Sequence, residues 1–187
     1  MSTIPVNGFI LAGGKSSRMG RDKALLDWHG LTLVSHMIHL LEAATDAVQV
    51  VGRDPLPDRV PGRGPLSGIA TALEVSSTDT NLILAVDLPF LTKDFLLYFR
   101  SQIERSSRRL FACKIESHFP LCLGVRKALL PEIERRLLSE DRSLQGWIAG
   151  SDSEILSEPQ LQSTGFEASM FRNLNTPEDY ERDKRFQ

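Results

Sequence analysis

From residue 11 to residue 23 the chain reads Leu-Ala-Gly-Gly-Lys-Ser-Ser-Arg-Met-Gly-Arg-Asp-Lys, directly after an apolar run. The adjacent glycines Gly13 and Gly14 let a backbone turn tightly and bring bare N–H groups close to an anion, an approach that side chains obstruct. Lys15, Arg18, Arg21 and Lys23 fall within nine positions. A loop folded round a polyphosphate can therefore set several cations on its oxygens. The competing reading is a glycine turn on a solvated basic surface. Two standard phosphate-binding patterns are excluded. Gly14-Lys15-Ser16 has the Gly-Lys-Ser order of a P-loop terminus, but the position where that motif needs its first glycine is Phe9, and no G-x-G-x-x-G spacing occurs here.

Three further segments could contribute chemistry. Ala85-Val86-Asp87-Leu88-Pro89-Phe90 sets one carboxylate at the carboxyl end of an apolar run, where ligands collect in open α/β sheets. A lone aspartate suits Mg²⁺, a hard hydrated ion held by one or two carboxylates with substrate phosphates completing its shell; a turn or cap is the ordinary alternative for such a residue. Gly64-Pro65-Leu66-Ser67-Gly68-Ile69 reads as a helix start with proline at its first position, and a helix N-terminus favours anionic groups. In Asn173-Leu174-Asn175 an extended backbone points both amides to one side and Leu174 to the other. The alternative is that these asparagines only turn the chain and cap the last helix.

The elements that must position these residues alternate. Strands are expected at Val6 to Leu11, Ala47 to Val51, Leu82 to Val86, Leu110 to Lys114 and Pro120 to Val125. Helical spacing marks Leu33 to Ala44, Leu66 to Val75 and Asp94 to Glu104. Thr92 is expected to N-cap one helix and Thr176, followed by Pro177, to start the last. Such alternation implies an α/β fold with right-handed crossovers and a mainly parallel sheet. Arg53 to Pro65 carries four prolines and two glycines and reads as a loop, so residues 1–187 are expected to form a single domain.

With 187 residues, a compact chain buries roughly 70% of its unfolded surface and builds one sizeable core. A net charge of −2 argues against a general nucleic-acid binder, which needs a broad basic face. Nothing approaches the length of a membrane span, and the first residues lack a signal-peptide pattern, so a cytoplasmic protein is expected. Cys113 and Cys122, the only cysteines, lie in apolar surroundings without the spacing of a zinc site or a disulfide framework, and read as free buried thiols. His29, His36, His39 and His118 receive no role.

The motif LAGGKSSRMGRDKALL resembles the signature loop of the MobA-type family, the molybdenum cofactor guanylyltransferases. The GPLxGI-like segment at Gly64, the D-x-P-F segment at Asp87 and the N-x-N-T-P-E-D segment at Asn173 resemble the same family in the same order, so the likeness runs from about residue 7 to residue 183. Relatives that use CTP or act on sugar phosphates commonly carry alanine and a single glycine where this chain has Gly13-Gly14. The resemblance implies a three-layer Rossmann-like nucleotidyltransferase fold with a mixed central sheet flanked by helices. It implies transfer of GMP from GTP to a molybdopterin phosphate with release of pyrophosphate. By the same likeness Leu11, Ala12, Gly13, Gly14, Lys23, Gly64, Gly68 and Asp87 contact the nucleotide, and Asp58 the guanosine, although the stretch from Arg53 to Gly64 departs from the family in being proline-rich and short. Arg18 and Lys23 are expected on the phosphates, Mg²⁺ on Asp87, and Asn173 and Asn175 on the pterin. A monomer is expected, with other cofactor-assembly proteins and molybdoenzymes as further partners. The alternatives are a nucleotidyltransferase of other specificity and a non-catalytic GTP-binding module, which need not keep Asp87.

Overall fold

The apolar runs of the sequence become the strands of one six-stranded sheet. The computed structural model describes residues 4–13 and 22–184. In chain order its elements are β1 (Val6–Leu11), a short 3₁₀ turn (Lys23–Leu25), β2 (Asp27–Trp28), β3 (Leu31–Thr32), α1 (Leu33–Glu42), β4 (Ala47–Val51), α2 (Pro65–Val75), β5 (Thr80–Ala85) and α3 (Lys93–Arg105). There follow β6 (Leu110–Lys114), β7 (Cys122–Arg126), α4 (Leu130–Leu138), α5 (Leu144–Gly150), β8 (Ser153–Ser157), α6 (Glu158–Ser163) and α7 (Pro177–Lys184).

The sheet order is β4-β1-β5-β7-β6-β8. β1 pairs in parallel with both β4 and β5, and β6 with β8, while β7 runs antiparallel to β5 and β6. Side chains that alternate along these strands supply two cores. Ile10, Leu82, Leu84, Phe111 and Cys113 face a cluster with Leu33, Met37 and Leu41 of α1, Phe95 and Phe99 of α3, and Tyr180 of α7. Phe9, Ile83, Ala112 and Leu123 face Leu66 and Ile69 of α2, Ile133 of α4 and Trp147 of α5. The result is three layers, helices on both faces of a mixed sheet.

The expected helix starts are found. The Thr92 hydroxyl accepts from the Phe95 amide, and the Thr176 hydroxyl from Asp179 N, just before Pro177 opens α7. Two strand limits shift. β5 begins at Thr80 and stops at Ala85, because Val86 already belongs to the turn that carries Asp87, and β7 begins at Cys122. β7 reverses direction because the return from β6, through an Ile115–His118 bridge, is too short to hold a crossover helix. β8 was not expected: its Ser153-Glu154-Ile155-Leu156-Ser157 sequence has the polarity of an edge strand, with only Leu156 buried.

Cys113 and Cys122 are fully buried on neighbouring parts of the sheet, and burial pushes both thiols well above the ordinary thiol pKa. A thiol-modifying disulfide reagent at pH 8 is accordingly expected to label neither cysteine in the folded protein and both after denaturation. Rapid labelling of either in the native state contradicts this placement.

Candidate active site

Backbone hydrogen bonds lace separate segments together at the carboxyl edge of the sheet. Ala12 N donates to Val51 O (2.9 Å), Val86 N to Leu11 O (3.1 Å) and Leu174 N to Asp87 O (3.0 Å). The start of the glycine segment, the end of β4, the turn after β5 and the Asn173–Asn175 stretch are thereby neighbours, although they are far apart in sequence. Gly14, Lys15, Arg18 and Arg21 lie outside the described residues.

Lys23 is carried by the short 3₁₀ turn, whose N-cap Asp22 accepts from Ala24 N at 3.0 Å. Its ammonium lies 3.0 Å from Asp87 Oδ2 and 3.4 Å from Asn175 Oδ1. The two side chains of the ion pair keep 16% and 17% exposure, sheltered yet within reach of a ligand. The second carboxylate oxygen, Asp87 Oδ1, is shielded from solvent and accepts no hydrogen bond. Leaving such a group unpaired costs about 1–3 kcal/mol or more, and a cation supplied with a ligand would satisfy it. Among the described residues no cluster of three or more His, Cys, Asp or Glu side chains forms a complete metal cage. The donor set thus fits a metal that takes one carboxylate from the protein and further oxygens from a phosphate substrate.

Asp58 lies against three glycines. A Cβ on Gly13 would sit 2.9 Å from Asp58 Oδ2 and from Gly52 Cα, and one on Gly68 would sit 3.4 Å from Asp58 Oδ1. Gly52 has φ of 92°, and a Cβ there would reach 2.4 Å from Gly13 N. Only glycines let these two backbones meet. The neighbours of Asp58 are pinned to α2: Arg59 N donates to Thr71 Oγ1 (2.9 Å) and Val60 N to Ser67 Oγ (3.0 Å). Gly64 caps α2 with φ of 72° and has open space where a side chain would stand.

The asparagines are relieved of capping. Asp179 Oδ2 accepts from the backbone N–H groups of Asn175 and Thr176, while Thr176 supplies the hydroxyl cap of α7. Leu174 is buried between a half-buried Asn173 and an exposed Asn175, the alternation expected of an extended stretch. Several supporting residues escaped the sequence reading. His36 Nε2 donates to Pro89 O at 2.9 Å and so steadies the Asp87 turn; burial, with His29 and His39 nearby, pushes its pKa below the ordinary histidine value. The Ser67 and Thr71 pair, one turn apart on the buried face of a mostly apolar helix, was a readable signal. Arg53, whose Nη2 lies 2.7 Å from Asp22 Oδ2, was visible only as a loop residue.

The model of the MobA-like NTP transferase domain matches residues 8–156. The chain belongs to this family. It is similar to a probable molybdenum cofactor guanylyltransferase of Carboxydothermus hydrogenoformans, 33% identical over 182 residues and 92% of each chain. It is also similar to a molybdenum cofactor guanylyltransferase of Xanthomonas euvesicatoria pv. vesicatoria, 35% identical over 189 residues, 95% of this chain and 94% of that one. A crystal structure of molybdopterin-guanine dinucleotide biosynthesis protein A from Archaeoglobus fulgidus shares the fold, with TM-score 0.74 and 19% identity over 96% of this chain and 97% of that one. All of the described segments of the site except Asn173 and Asn175 fall within the family match.

Burial pushes the Asp58 pKa up. An acid whose pKa is higher folded than unfolded favours the folded state while both forms are protonated, and that benefit is lost as pH rises through the folded-state value. Asp58→Asn is therefore expected to melt at a higher temperature than the parent at pH 7, with the gap closing as pH falls through the raised folded-state value and gone below about 4, the ordinary aspartate range. A gap that is independent of pH contradicts this account.

Proposed function

We propose that this chain transfers GMP from GTP to the phosphate of molybdopterin, releasing pyrophosphate. The observation that carries the reading is the convergence of Lys23, Asp87 and Asn175 at the edge where the glycine segment begins, with one oxygen of Asp87 left unpaired. The names of its relatives and its family membership support the same reaction.

The attacking group is a phosphate oxygen that is already anionic, so no strong base is required. It forms a bond to the α-phosphorus of GTP as the bond to the pyrophosphate oxygen breaks. What the protein contributes is alignment and neutralisation of charge on the α-phosphate and leaving group. Lys23, together with Arg18, is assigned to the phosphates. Backbone groups of Leu11, Ala12 and Gly13 are assigned to the nucleotide, with Asp58, placed against Gly13 and Gly68, on the guanosine and Gly64 at the open start of α2. Asp87 is assigned as the Mg²⁺ ligand; when bound, the ion neutralises and orients phosphate oxygens. Asn173 and Asn175 are assigned to the pterin. Among the described residues no helix is long and apolar enough to cross a membrane; we assign the enzyme to the cytoplasm. We assign residues 1–187 to a single nucleotidyltransferase domain that works as a monomer and delivers its product to molybdoenzymes.

Pyrophosphate release measured with GTP, CTP and ATP, each with and without molybdopterin, tests the reaction. Turnover is expected only with GTP and molybdopterin together; preference for CTP, or for a sugar phosphate acceptor, would overturn the assignment. Asp87→Asn is expected to abolish metal-dependent turnover with the fold intact, because the charge goes while the shape stays; parental turnover at limiting Mg²⁺ contradicts the metal assignment. Changing both Asn173 and Asn175 to Ala is expected to weaken molybdopterin binding by about 1–3 kcal/mol per lost partner and to leave GTP affinity nearly unchanged. Since Thr176 and Asp179 cap α7, the melting temperature should hardly move. Equal weakening of both ligands would count against the pterin role.

A further inference from the structure

Among the described residues, two side-chain polar atoms are buried without a hydrogen-bond partner, and they are Asp87 Oδ1 and Arg53 Nη1. The first belongs to the proposed metal site. The second has no assigned role, and buried donors of a charged guanidinium are ordinarily paired. Arg53 follows Gly52, whose backbone lies against Gly13, and its Nη2 is held 2.7 Å from Asp22 Oδ2. Asp22 in turn caps the turn that carries Lys23. Residues 52 and 53 thus contact both Gly13 and Asp22, the residues that flank the segment 14–21. The side chain keeps 28% exposure although Nη1 itself is shielded, so it is not locked inside the core.

We infer that Arg53 is a nucleotide-contacting residue: one arm of its guanidinium anchors Asp22, and the other donates to an oxygen of bound GTP. The planar fork of arginine suits this double task, since its donors are fixed relative to one another. The inference rests on the proposed GTP site. The acceptor is either a phosphate oxygen or the carbonyl oxygen of guanine, both of which offer the lone pairs that Nη1 lacks.

Equilibrium binding of GTP with Mg²⁺, and of tripolyphosphate with Mg²⁺, to the parent, Arg53→Met, Arg53→Lys and Asp22→Asn tests it. Asn caps a helical turn as well as Asp, so Asp22→Asn removes only the ion pair. Arg53→Met and Arg53→Lys are expected to weaken GTP at least tenfold and Asp22→Asn less than threefold, with all three folded by circular dichroism. Arg53→Lys keeps the charge, and so guards against a fold defect in the Met variant. An equal loss for tripolyphosphate identifies a phosphate oxygen; a loss confined to GTP identifies the guanine carbonyl. Equal effects of the Arg53 and Asp22 variants, or GTP affinity unchanged in the Arg53 variants, would overturn the inference while leaving the GTP site standing. A parent that binds no GTP would overturn both.

Discussion

The parallel pairing of β1 with β4 on one side and β5 on the other is the constraint on which the site depends. Parallel neighbours end at the same edge, so the residues that follow them are brought together whatever their separation in sequence. Leu11 leads to Gly13, Val51 to Gly52 and Arg53, and Ala85 to Asp87. The antiparallel β7 does not disturb this edge because it lies beyond β5. The stretch ending at Asn175 then joins as a visitor, tied by one backbone bond to the carbonyl of Asp87.

The groups at this edge are less well paired than those elsewhere. At the opposite edge, Asn7, Ser76, Thr78 and Asn81 satisfy one another in a polar network. At the site, Asp58 is half-buried at a cost to its ionisation, and Asp87 and Arg53 each keep an unpaired buried atom. An unpaired polar atom lowers stability, and its persistence at a site where a charged ligand can complete it is the pattern expected of preorganised electrostatics. The carboxylate and ammonium of the Lys23–Asp87 pair hold one another in place at 3.0 Å.

Much of this was legible in the sequence because it rested on local rules. The hydrophobic period marked β1, β4 and β6 to the residue. Thr92 and Thr176 announced their helices through the need of a first turn for hydroxyl acceptors. Asp87 stood out because it follows an apolar run. What escaped depended on tertiary contact. β8 has no apolar alternation because it lies at the edge, and the reversal of β7 follows from loop length rather than from composition. His36, Ser67 and Thr71 act by bonding to backbone outside their own helices, and Arg53 gains its meaning only when Gly52 meets Gly13. For Asn173 and Asn175, turn-making and ligand contact were both open readings, and the capping by Asp179 decides that the helix does not need their side chains.

The central claim is that the free oxygen of Asp87 holds the metal while Lys23 stays beside the same carboxylate. A crystal structure of the protein with GTP and Mg²⁺ tests it most directly. The account predicts the ion at about 2.0–2.1 Å from Asp87 Oδ1, sharing phosphate oxygens with a nucleotide whose phosphates reach Lys23. An ion bound away from Asp87, or a nucleotide whose phosphates lie elsewhere than the Gly13 and Lys23 edge, would contradict it.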